Sequence, residues 1–104
     1  MPKMIVLMIE HAPIDVLMIK RTLRDFPEVE VIAVSSAQRG VDYLLGMGEY
    51  ADWQKAPLPD AILLDLGMTR GASGLGFLKW RATQAPEVRV SPAIVLTDDG
   101  PLGQ

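Results

Sequence analysis

An open parallel α/β sheet is the fold class that this sequence predicts, and three observations predict it. Short apolar runs at Met4–Ile9, Val29–Val34, Ala61–Leu64 and Ala93–Leu96 alternate with segments of helical spacing, the order that builds successive β-α units. The third run, Ala-Ile-Leu-Leu, is continuous, with Pro57 and Pro59 before it and Gly67, Gly71 and Gly74 after it. A strand buried on both faces reads this way. A carboxylate, Asp65, closes that run, where open parallel sheets place their ligands.

The first strand, Met4 to Ile9, is apolar and rich in β-branched residues, and Glu10 ends it. Pro13 suits the first turn of a helix, in which Val16, Ile19, Leu23 and Phe26 recur on one side and Lys20, Arg21 and Arg24 take the other. Ala12 is a poor cap for it. Pro27 stops the helix. Val29 to Val34 is the second strand, and Ser35 and Ser36 are caps for a second helix. Ala37, Val41 and Leu44 mark the buried stripe of that helix, which fades at Gly46 and Gly48. Glu49 to Pro59, with Tyr50 and Trp53, has the composition of a surface connection.

Beyond Asp65 and its Gly-rich turn, a third helix is expected from about Gly74 to Thr83, with Leu75, Leu78 and Ala82 inward and Pro86 ending it. Ala93 to Leu96 is the fourth strand, Thr97 stands at its carboxyl end, and Asp98-Asp99-Gly100-Pro101 is a turn. Right-handed crossovers then bring Glu10, His11, Asp65 and Thr97 to one edge of the sheet.

Composition narrows the function classes. The chain has 104 residues, 49% hydrophobic and 22% charged, which fits one domain with one core. No apolar run is long enough to span a bilayer and the amino terminus lacks the pattern of a signal peptide, so a cytoplasmic protein is expected, with no membrane partner. The absence of cysteine excludes disulfides and thiolate chemistry. A net charge of -3 with scattered Lys and Arg gives no basis for direct nucleic-acid binding.

The residues Leu63-Leu64-Asp65-Leu66-Gly67-Met68, followed by Gly74-Leu75 and Phe77-Leu78, resemble the phosphoacceptor segment of response-regulator receiver domains. Asp42-Tyr43-Leu44 and Gly48-Glu49-Tyr50 upstream, with Ile94-Val95-Leu96-Thr97 downstream, extend the likeness along essentially the whole chain. It is most similar to the single-domain receivers that accompany phytochrome-type sensor kinases. The resemblance implies a flavodoxin-like, doubly wound parallel sheet of order 2-1-3-4 over residues 1–104, truncated after the fourth strand and so lacking the last strand and helices of a receiver. It also implies that Asp65 accepts a phosphoryl group from a sensor histidine kinase. Glu10, Asp65 and the main-chain carbonyl of Gly67 would hold Mg²⁺, and Thr97 would hydrogen-bond the arriving phosphoryl oxygen and draw its loop inward toward a downstream target.

Several residues depart from that family's pattern. His11 stands where a second acidic metal ligand is expected, and imidazole is a poor Mg²⁺ donor, so weak Mg²⁺ binding is expected. Two readings of His11 stay open: a cation that substitutes for the metal's charge, or a solvent-facing side chain with no role. The loop after Asp65 is one residue longer than usual, with Thr69 in place of a proline and Ser73 in place of an acid. No lysine follows a fifth strand, and Lys79 and Lys55 fall in the wrong elements to replace it. A shortened sheet leaves an open edge, which implies either a shortened form of a longer chain or pairing with another copy, and a homodimer or edge-paired oligomer, or a marginal monomer, is expected.

A receiver that is phosphorylated at Asp65 is therefore the leading expectation, and a receiver-like interaction module without phosphotransfer is the alternative. An enzyme is disfavoured. Dehalogenase-type phosphatases need a second Asp at the position of Gly67, and flavodoxins need a hydroxyl-rich loop where Glu10-His11-Ala12-Pro13 stands. Trp80, beside Lys79 and Arg81, is a candidate contact residue.

Overall fold

The computed structural model describes residues 3–10, 12–52, 54–65, 72–84 and 92–96. Strand β1 (Met4–Ile9) pairs in parallel with β2 (Val29–Val34) on one side and with β3 (Ala61–Asp65) on the other. Strand β4 (Ala93–Leu96) pairs in parallel with β3, which gives the sheet order β2-β1-β3-β4. All four strands and their order match the sequence expectation.

The pleat sorts side chains onto two faces. Leu7, Ile9, Ile32, Val34, Ile62 and Leu64 belong to one face and pack with Tyr43, Leu44 and Phe77 into the main core. Leu7, Ile9, Ile62 and Leu64 are fully enclosed, and each such side chain contributes roughly 1.5–3 kcal/mol by leaving water. Helices α2 (Ala37–Leu45) and α3 (Ala72–Ala82) cover this face. On the other, Met8 and Ala61 are buried, and α1 (Pro13–Thr22) lies beside β2 with Val16, Ile19 and the following Leu23 half-buried.

Helix α1 begins at Pro13 after an extended Ala12 that supplies no side-chain cap. It gives way at Leu23–Asp25 to a single 3-10 turn. Phe26 is 49% exposed, contrary to the inward position that helical spacing assigns it. Pro27 accounts for this: a residue before proline is driven out of the α region, and Phe26 adopts φ -122°, ψ 73°.

Helix α2 follows its sequence signals. The Ser36 hydroxyl accepts the Arg39 N–H at 3.1 Å, and Gly46 closes the helix in the left-handed conformation with φ 65°. Tyr43 is buried, and its hydroxyl donates to the Pro57 carbonyl at 2.7 Å. Burial pushes its phenol up to about 12, with smaller contributions from the charges of Glu30 and Tyr50. Its ring also packs 5.1 Å from that of Tyr50.

Helix α3 starts earlier than Gly74, and Leu78 packs against the core as expected, but the face turned inward is centred elsewhere. Phe77 is buried, Trp80 is half-buried 5.9 Å from it, and Ala82 is exposed. The aromatic pair, at i and i+3, sets the buried stripe, while the side chain of Leu75 lies outside the described residues.

Candidate functional site

The register that sets the carboxyl edge is explicit. Ile9 pairs with Leu64 and Asp65 pairs with Leu96. Continuing the parallel ladder by one residue places Glu10 beside Asp65 on the adjoining strand, so the chain brings two carboxylate-bearing positions together from opposite halves of its sequence. A third expected member, Thr97, directly follows β4 in sequence, but it lies outside the described residues, as do His11 and Gly67.

Glu10 is 4% exposed. Its main-chain N–H donates to the Val34 carbonyl at 3.0 Å, which fixes it across β2. One carboxylate oxygen, Oε2, accepts the Ala12 N–H at 3.0 Å. Glu10 thus holds the main-chain N–H of Ala12 from two residues upstream, and an anion at the amino end of α1 is favoured by the helix dipole. The sequence signal for this role is a carboxylate two residues before Ala12, the cap position of the helix that Pro13 opens. Beside Glu10 lies a cavity of about 220 Å³ lined by Pro13, Val16, Ala33, Val34 and Ser35.

The donor chemistry only partly suits a divalent metal. Glu10 is a hard oxygen donor of the kind Mg²⁺ takes, but one of its oxygens is engaged by Ala12. Among the described residues no group of three His, Cys, Asp or Glu lies close enough to hold a metal ion.

The cations match their sequence positions: Lys79 is exposed on α3, and Lys55 is exposed in the connection before β3. Asp60 has a role that the sequence reading misses. Its carboxylate Oδ2 accepts the Ile5 N–H at 2.7 Å and its own N–H donates to the Ile5 carbonyl at 2.7 Å, tying the start of β3 to β1. An acid directly before a buried strand, after Pro59, is the signal that could have found it.

No protein-family model matches the sequence, and no curated protein matches it closely. Solved structures do. A response regulator in red light signalling of R. palustris superposes with TM-score 0.83 and 26% identity over 98% of this chain and 69% of that one. The phosphorylated cyanobacterial phytochrome response regulator RcpA gives 0.78 and 28% over 91% and 65%. The Mn²⁺-bound form of response regulator Rcp1 gives 0.77 and 26% over 97% and 69%. The chain thus spans about two thirds of the length of each. In fold the chain is a CheY-like receiver domain, and the solved proteins it resembles are response regulators of red-light and phytochrome signalling.

Proposed function

We propose that residues 1–104 act as a two-component receiver that takes a phosphoryl group on Asp65 from a sensor histidine kinase and passes the signal on by a change of surface. The observation that carries the reading is the adjacency of Glu10 and Asp65 at the carboxyl edge of a receiver-type sheet. A carboxylate oxygen of Asp65 would attack phosphorus on the donor phosphohistidine; the P–N bond breaks, an O–P bond forms and the imidazole leaves. Thr97 would hydrogen-bond a phosphoryl oxygen. Mg²⁺, held by Glu10, Asp65 and the Gly67 carbonyl, would neutralise phosphoryl charge when bound; the Mn²⁺-bound form of Rcp1 supports a divalent ion in a similar protein.

Likeness to signalling proteins favours a switch over an enzyme with turnover on a small substrate, and supports a sensor kinase and a downstream protein as partners. A cytoplasmic location fits that role; no helix among the described residues is long and apolar enough to cross a membrane. A homodimer or edge-paired oligomer is part of the proposal, supported by Ile94 on β4, which is 53% exposed. Light scattering that returned only a compact monomer would remove that part.

The second reading, an interaction module without phosphotransfer, is favoured by the engaged Glu10 oxygen and by the histidine that comes after it. Incubation with acetyl phosphate and Mg²⁺, read by intact mass, decides between them. A phosphate adduct that disappears in Asp65→Asn supports phosphotransfer, and no adduct with any divalent metal supports the second reading.

A further inference from the structure

At the opposite, amino edge of the sheet, the end of α1 and the start of β2 enclose an open groove of about 310 Å³. Its walls carry Lys3, Lys20 and Arg24, with Phe26, Val29 and Glu30. Glu30 is the one carboxylate among these residues, and Lys3 faces it at 3.9 Å. The lining therefore has three cations against one anion, on a chain whose net charge is -3. Phe26 keeps half of its surface in water beside those cations.

Charge and apolar surface together select the occupant. An acidic polypeptide segment offers carboxylates to the cations and a hydrophobic side chain to Phe26 and Val29. A bare inorganic anion would leave the apolar wall uncovered. A nucleic acid needs a longer track of cations than Lys3, Lys20 and Arg24 supply, and it too has no side chain for the apolar wall. Lys20 lies in the last turn of α1, where part of its charge answers the helix's own carbonyl end, so the attraction is weak and sensitive to salt.

We propose that this groove binds an acidic segment of a partner protein through Lys3, Lys20 and Arg24, with Phe26 as the apolar contact. The groove lies at the far end of the parallel strands from Asp65, so the surface is independent of phosphotransfer and open while the carboxyl edge is engaged.

The test uses the full chain and a short labelled peptide of alternating Glu and Asp around one Phe, followed by fluorescence anisotropy and by amide shifts in heteronuclear NMR. Expected are saturable binding that weakens as salt rises, shifts at Lys3, Lys20 and Phe26, and a loss of about tenfold in affinity for the double variant Lys20→Glu, Arg24→Glu. The same variant should form the Asp65 adduct with acetyl phosphate as the parent does, which separates this surface from the phosphotransfer reading. Phe26→Ala, which leaves every charge in place, should also weaken binding. The proposal is overturned if the acidic peptide fails to bind, if a Lys-for-acid control peptide or a single-stranded oligonucleotide binds as tightly, or if charge reversal leaves the affinity unchanged.

Discussion

Gly40 and Ile9 approach so closely that a Cβ on the glycine would stand 2.6 Å from Ile9 Cδ1, with Phe77 Cε1 a further 3.2 Å contact. Both neighbours are buried, so neither side chain has room to swing aside. The absence of a side chain at position 40 is what lets α2 settle onto β1 and meet α3.

Gly40→Ala is therefore expected to destabilise the fold by about 1–3 kcal/mol through overpacking. Gly76, in the interior of α3, has open space around its hypothetical Cβ, and there Ala should be neutral or stabilise by up to about 1 kcal/mol. Urea denaturation of the two variants checks the contrast; equal effects would show that helix propensity, and not contact, governs both sites.

Tyr43 should reveal itself in alkali. Its phenol is raised to about 12 from an unfolded value of 10.0, so between those values the unfolded chain has released a proton that the folded chain retains. This contribution to stability is fully present below pH 10 and is lost as pH rises through about 12. Ultraviolet titration should show a late tyrosine step that Tyr43→Phe abolishes. That variant also leaves the Pro57 carbonyl without its donor, at a cost of about 1 kcal/mol.

Two helix starts are held in different ways and should respond differently. Ser36→Ala removes the acceptor for the Arg39 N–H and should cost about 1 kcal/mol. At α1, Glu10→Gln retains an oxygen for the Ala12 N–H whereas Glu10→Ala does not. The alanine variant should lose about 1 kcal/mol more than the glutamine variant. Equal losses in thermal melts would assign Glu10's structural part to charge alone.

Asp60→Ala removes the carboxylate that accepts the Ile5 N–H and is expected to cost about 1 kcal/mol, since the site is exposed and water replaces part of the bond. Hydrogen exchange at Ile5 should accelerate in the variant while exchange at Leu64 holds.

The strands are legible in the sequence because each is a short apolar run bounded by proline, glycine or a polar pair; their parallel pairing follows from the alternation, and their order from the receiver resemblance. The edge positions Glu10 and Asp65 are legible for the same reason, being the first polar residues after buried runs. Helix α3 is legible as an element and only partly in its orientation: Leu78 packs against the core as its spacing suggests, but Ala82 is exposed and Phe77 is the residue enclosed, because the gap over Gly40 admits an aromatic ring. That gap pairs residues distant in the chain, so no local pattern announces it. Phe26 misleads for a local reason, the proline after it. The expectations at His11, Gly67 and Thr97 fall outside the described residues and stand as proposals.

Strand β3 is held at its foot by the reciprocal Asp60 and Ile5 bonds, and the connection leading into it is held by Tyr43 at Pro57. Sliding the strand lengthwise would sever both fastenings together. A piston stroke is thus a motion this architecture opposes at two points, and under the proposed phosphotransfer a change at position 65 would pass sideways, into the neighbouring strands.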